Sequence, residues 1–159
     1  MNLTVNIAQD QLDSFEAITN AAVDRARPDV LAAMRDRFYD IVTENFGVAG
    51  PDRPWAWHEL SPKYAAKVGR TYATLEVTGA LRDSLMKGGT EGDTTTVSMS
   101  DSSVPYATAH HEGAPAGNRG HPGLPARRVF PIFETGDVMP WTFNEVLEAA
   151  RAALGRELS

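Results

Sequence analysis

The residues best suited to chemistry gather in one part of the chain: His110, His111, Glu112 and His121. Imidazole and carboxylate are common zinc ligands, and a zinc-bound water is a hydrolytic nucleophile. The spacing points away from that use. A zinc protease holds two histidines four apart on one helical face, with a glutamate between them. Here His110 and His111 are adjacent, so they point to different sides of either a helix or a strand. Serine chemistry finds no better footing. No serine sits in a Gly-x-Ser-x-Gly elbow, and Ser84 beside Asp83 is a neighbour in sequence, not part of a triad. Residues 113–120 are glycine-rich but lack the Gly-Lys-Ser/Thr ending of a phosphate-binding loop. Paired carboxylates occur only on polar helix faces, where solvation accounts for them. These residues lead to no catalytic, metal or cofactor assignment. The alternative kept open is a small metal-dependent hydrolase using His110, His111 and His121.

Two further features invite a binding role. Trp55 and Trp57 could stack on bases or sugars, but such tryptophans more often pack in a core or an interface. Arg127 reads either as a recognition residue or as a buried or interface arginine with a carboxylate partner.

The elements that must position these residues follow from periodicity. Leu3, Val5 and Ile7 alternate with Thr4 and Asn6, the pattern of a short strand with one buried face. Asp10 can cap a helix with apolar positions Leu12, Phe15, Ile18 and Ala22. Pro28 interrupts this helix or opens the next one. From Asp29 onward, Val30, Met34, Phe38, Ile41, Val42 and Phe46 describe an amphipathic helix that stops at Gly47. Its polar side, Arg35, Asp36, Arg37, Asp40 and Glu44, is expected to face solvent. After a turn at residues 50–54, Ser61 caps a short helix with Pro62 at its first position and Gly69 at its end. Residues 77–86 read as another short helix, with Thr78 as cap, Gly79 easing the entry, Leu81 and Leu85 on one face, and Gly88-Gly89 as the stop.

Residues 94–99 are β-branched and alternate as a strand, and residues 85–90 are placed to pair with it as a hairpin. Residues 107–111 fit one helical turn or a strand equally well. Residues 113–125 contain four glycines and three prolines, the composition of a long exposed loop. Val129, Pro131 and Phe133 alternate with Phe130 and Ile132, suggesting an edge strand. Thr142 and Glu145 match a capping box for a last helix whose apolar face is Phe143, Val146, Leu147, Ala150 and Leu154. Together these elements make one α+β domain spanning residues 1–159. Its small antiparallel sheet packs with N-terminal helices and a C-terminal helix, and it carries a long Gly/Pro-rich loop.

Composition narrows the function further. The net charge of -6 disfavours wrapping nucleic acid through a broad basic face. Residues 113–133 hold Arg119, Arg127 and Arg128 and no carboxylate, so this stretch is +3 against -9 for the remainder. Such a segment can meet an acidic partner surface, or its arginines can pair within their own chain. Zero cysteines exclude disulfides and thiolate metal sites. No apolar run approaches the roughly 18 residues of a membrane span, and the first residues lack a signal core. Synthesis and residence in a cytoplasm are therefore expected.

Three blocks occur in order. The first is Trp57-His58-Glu59-Leu60-Ser61-Pro62-Lys63-Tyr64-Ala65-Ala66-Lys67. The second is Thr78-Gly79-Ala80-Leu81-Arg82-Asp83-Ser84-Leu85. The third runs from Val104-Pro105-Tyr106-Ala107-Thr108-Ala109-His110-His111-Glu112-Gly113 through the glycine-rich loop to Leu124-Pro125-Ala126-Arg127-Arg128-Val129-Phe130. Across residues 55–133 the chain resembles the phage virion morphogenesis family, the Mu-like tail completion proteins and their head–tail joining relatives. The departures are His111-Glu112, where the family often has glutamine or a bulky residue, and Arg127-Arg128, where it often has Arg-Pro. The resemblance implies a non-enzymatic virion protein at the tail–head junction, made in the bacterial host cytoplasm. It also implies a ring of identical subunits, six being the expected number, with the tail tube or neck proteins as partners. It implies no membrane and no sequence-specific nucleic acid, with DNA passing through the ring. The positions carried over are Trp57, Thr78, Gly79, Leu81, Arg82, Ser84, Tyr106, His110, Gly113, Pro125 and Arg127, as fold and subunit-contact residues.

Overall fold

A computed structural model describes residues 9–48, 54–55, 57, 59–69, 79–99, 104, 106–116, 123–133, 135 and 137–157. The elements, in order, are α1 (Gln9–Gly47), α2 (Pro62–Val68), α3 (Ala80–Asp83), β1 (Leu85–Glu91), β2 (Thr94–Met99), α4 (Ala107–Glu112) and α5 (Pro140–Glu157). Helices and a two-stranded antiparallel sheet define an α+β fold. The strand expected at Leu3, Val5 and Ile7 and the cap expected at Thr78 lie outside the described residues.

The first correction concerns α1. Two helices divided at Pro28 were expected, yet one 39-residue helix runs through that proline. Proline removes the amide that would reach the Asp24 carbonyl. Asp24 and Pro28 are both exposed, so water can take the place of the missing donor. Among the described residues, burial of large side chains is concentrated in the second half of α1, although Ala26 in the first half is also buried. Ile41, Val42 and Phe46 are buried, while Ile18, on the first half, is 70% exposed.

The polar side of α1 is also not simply solvated. Arg35 Nη1 donates to the Gly88 carbonyl at 3.1 Å. Lys87 sits over the Tyr39 ring at 4.8 Å, with its ammonium 3.4 Å from Asp36. Arg37 pairs with Glu145 of α5 and with Glu44. Farther back, Arg27 bonds Asp24 at 2.8 Å and Asp93, in the hairpin turn, at 2.5 Å. The charged side of α1 therefore anchors the hairpin on one flank and α5 on the other.

The hairpin pairs Leu85 with Met99 and Glu91 with Thr94, and its register breaks between Lys87 and Thr90. Gly88-Gly89, expected to stop a helix, instead forms this irregularity inside β1. A Cβ at Gly88 would come within 3.1 Å of the Thr96 carbonyl oxygen and Cβ. The helix before it is shorter than expected. It is entered through Gly79 at φ 75 and ends at Ser84, whose hydroxyl donates to the Leu81 carbonyl at 2.7 Å. Leu81 and Leu85 still share the core, one from a helix and one from a strand.

Ser61 and Pro62 open α2 as expected, with the Tyr64 amide donating to the serine hydroxyl at 3.4 Å and Gly69 closing the helix at φ 66. Residues 107–112 are helical. Helix α5 starts two residues before the expected cap. Pro140 fixes the first helical turn, and the Met139 carbonyl accepts from the Phe143 amide at 3.1 Å. Thr142 is therefore inside the helix and fully buried, and Glu145 reaches Arg37 rather than a capping position. The buried face is Thr142, Ala150 and Ala153 with Val146 alongside, and Phe143 is 56% exposed. No helix among the described residues is long and apolar enough to cross a membrane.

If α1 is continuous, Pro28→Ala restores one helical hydrogen bond and should raise unfolding stability by about 1–3 kcal/mol. Chemical denaturation followed by circular dichroism measures this. A loss of stability would indicate a helix boundary at Pro28.

Candidate functional site

Residues 124–133 are irregular, and the edge strand expected at residues 129–133 does not form: the chain bends at residues 129–131, and the Ile132 amide donates to the Phe130 carbonyl at 2.9 Å. Among the described residues this segment joins others through two isolated bridges, Ala114 with Leu124 and Ile132 with Val138. Proline at 125 and 131 removes two amide donors from it. Val129 and Pro131 are nonetheless buried, so main-chain groups in the segment need partners that no ladder supplies.

Those partners come from the other sequence blocks. Trp55 Nε1 and Trp57 Nε1 both donate to the Arg128 carbonyl, at 2.6 and 2.7 Å. The Arg127 amide donates to the His110 carbonyl at 2.7 Å. The Val129 amide donates to His111 Nδ1 at 3.1 Å. The Pro131 carbonyl accepts from the Met139 amide at 2.9 Å, which ties the segment to the start of α5. Arg127, 5% exposed, donates Nη2–H to the main-chain carbonyl of Glu59 at 3.2 Å, where a carboxylate acceptor was one expectation.

Aromatic contacts reinforce the same junction. Trp57 meets Phe46 of α1 edge to face at 5.4 Å, and Trp55 lies 5.9 Å from Trp141 of α5. Phe130 stacks on Phe38 at 6.2 Å and receives the His111 ring at 5.7 Å. Both tryptophans are buried, as expected of core residues.

The loop between the two arms of the third block is pinned at its ends. Ala114 and Leu124 exchange both main-chain hydrogen bonds at 2.8 Å. Gly113 has φ +82, and a Cβ there would lie 2.8 Å from the Leu124 carbonyl oxygen. A Cβ at Gly123 would lie 2.7 Å from the Ala114 carbonyl oxygen. Backbone meets backbone here too closely for side chains. Residues 117–122, with Arg119 and His121, lie outside the described residues.

The candidate residues therefore divide by burial. Trp57, Leu81, Ser84 and Arg127 are buried, and Gly79, His110 and Gly113 are intermediate. Arg82, Tyr106 and Pro125 are exposed. Tyr106 packs edge to face on His110 at 5.6 Å, and Arg82 bonds Asp83 at 3.2 Å. Of the ten candidates that are described, these three are the most exposed, and Thr78 lies outside the described residues. Trp55 belongs with Trp57 but was not among the candidates. The Trp-x-Trp spacing carried the signal, because residues two apart share a side of an extended chain.

His110 and His111 sit half-buried and neither is primed to ionise. Burial pushes both pKa values down, aided by Arg127 for His110 and by Arg128 for His111, with Glu112 opposing the latter. His111 Nδ1 is an acceptor and so is unprotonated. Among the described residues no group of three or more His, Asp and Glu is arranged to hold a metal. A shallow groove of about 410 Å³ lies between α1 and α5, lined by Arg37, Asn144, Glu145, Glu148 and Ala149. Its Arg37 and Glu145 already pair with each other. No family model, curated protein or solved structure matches this chain significantly.

The histidines make stability pH-dependent with a definite sign. Above the ordinary histidine pKa of 6.5 both folded and unfolded chains hold them neutral. As pH falls below that value the unfolded chain takes up protons first, so stability falls with pH until the depressed folded-state pKa values are passed. His111→Asn keeps a side-chain acceptor but cannot ionise. It should retain most stability at about pH 7.5 and show a shallower loss by about pH 5.5. Urea titrations at both pH values read this out, and an unchanged slope would refute the role of His111.

Proposed function

We propose that this protein is a structural virion subunit of the phage tail completion or head–tail joining kind, assembling as a ring. One observation carries the reading. The first and third motif blocks of the resemblance meet at residues 127–129, and Leu81 and Leu85 of the second block enter the same core. Their indoles, imidazole and guanidinium are engaged in satisfying main-chain groups and filling space. A constellation of this kind specifies a shape, which is what a ring subunit needs from such residues. Closing a ring takes two different faces on each copy. Of the three arginines in the +3 segment Arg127 is buried, which leaves Arg119 and Arg128 to carry positive charge toward an acidic neighbouring copy.

The loop at residues 113–125 is the proposed reach toward a neighbouring subunit or the tail tube. Its ends permit a clean test. A pair of residues exchanging both hydrogen bonds can be joined by two residues in a tight turn. Replacing residues 115–123 with Asn-Gly should leave the monomer folded and abolish ring formation or tail attachment. Electron microscopy of the purified protein, alone and with tail tubes, reads the outcome. Rings and normal tail attachment from the shortened chain would refute the loop's role. Stoichiometric zinc, with substrate turnover lost in His110→Ala, would refute the structural reading itself.

A further inference from the structure

Helix α2 is capped by Ser61 and Gly69, yet none of its residues is buried. A helix this short is marginal in water when no face of it packs. Its exposed side chains include Lys63, Tyr64 and Lys67, and Tyr64 is 45% exposed. The helix contains no acidic residue. Lys63 and Lys67 lie four apart, so they share one side with a turn between them.

The opposite character stands on the first turns of α1. Residues 9–24 include Asp10, Asp13, Glu16 and Asp24 and no lysine or arginine. Asp24 already pairs with Arg27. Asp13, Glu16, Ala17 and Asn20 are exposed, and their spacing places them on one side of the helix. The Gln9 side-chain amide donates to Asp13 at 2.8 Å. Among the described residues no ion pair involves Asp13, Glu16, Lys63 or Lys67. The two surfaces belong to different ends of α1. Trp57, shortly before α2 in the chain, packs on Phe46. From Phe46 back to Glu16 the helix rises about 45 Å at roughly 1.5 Å per residue.

We infer that the Lys63–Tyr64–Lys67 face of α2 in one copy docks on the acidic first turns of α1, around Asp13 and Glu16, in the next copy. The inference rests on the self-assembly proposed above and identifies a contact that links neighbours. Two lysines one turn apart meet two carboxylates one turn apart, so a single docking of helix on helix can form both pairs. The two surfaces differ, so the contact is heterologous and can propagate around a ring. Exposed ion pairs are individually weak and screened by salt. Their effect here is to choose which faces meet and to repel wrong pairings.

Charge reversal tests the contact. One variant carries Lys63→Glu with Lys67→Glu, and a second carries Asp13→Lys with Glu16→Lys. All four positions are exposed, so circular dichroism should match that of the unaltered chain. Analytical ultracentrifugation over a concentration series reads the assembly. Each variant alone should associate at least about tenfold more weakly, because like charges now face each other. An equal mixture of the two variants, and a single chain with all four changes, should both recover association. Oligomers of the unaltered chain should dissociate as sodium chloride is raised from about 50 to about 500 mM, a readout that holds even if a variant misfolds. Reversals without effect, folded variants that neither mixing nor the four-fold change restores, or oligomers indifferent to salt overturn this contact and leave the ring standing. Monomers of the unaltered chain at every concentration overturn both the contact and the ring.

Discussion

A single main-chain carbonyl, that of Arg128, receives two indole N–H groups. Each such bond contributes about 1 kcal/mol net, and leaving a buried carbonyl without donors costs about 1–3 kcal/mol. The geometry matters beyond those magnitudes. Trp57 leans on Phe46 of α1 and Trp55 on Trp141 of α5. The carbonyl therefore fixes where an irregular segment crosses between two helices. Without it, residues 124–133 would be an apolar strip with no ladder to hold it.

That strip helps to close the core where the described residues hold only a two-stranded sheet. Side chains do the work that neighbouring strands do elsewhere. The His111 ring accepts from the Val129 amide and the Arg127 guanidinium donates to the Glu59 carbonyl, while one main-chain bond, from the Met139 amide to the Pro131 carbonyl, completes the set. The same groups looked most like catalytic or recognition residues when only their types were known. Their geometry commits them to partners within the fold.

Much of the architecture was legible where local rules act alone. Ser61-Pro62 and Gly69 bracket α2 because cap chemistry needs no tertiary help. The β-branched run at residues 94–99 forms its strand. Tertiary context overrode local signals elsewhere. Pro28 was read as a boundary, but an exposed helix can lose one hydrogen bond to water and continue. Thr142 and Glu145 have capping-box spacing, yet Pro140 nucleates the turn earlier and Arg37 claims the glutamate. Alternation at residues 129–133 suggested a strand, but prolines and side-chain partners make it a strap. The convergence on Arg128 was invisible because main-chain acceptors leave no mark on residue type.

Hydrogen exchange at the indole protons tests the account most directly. If Trp55 and Trp57 hold the Arg128 carbonyl, both Nε1 protons should exchange only through global unfolding, with protection matching that of core amides in α1. Trp141 lies at the edge of the core and provides the internal comparison. Exchange at Trp55 and Trp57 as fast as in free indole, with α1 still protected, would contradict the junction and the shape-based function built on it.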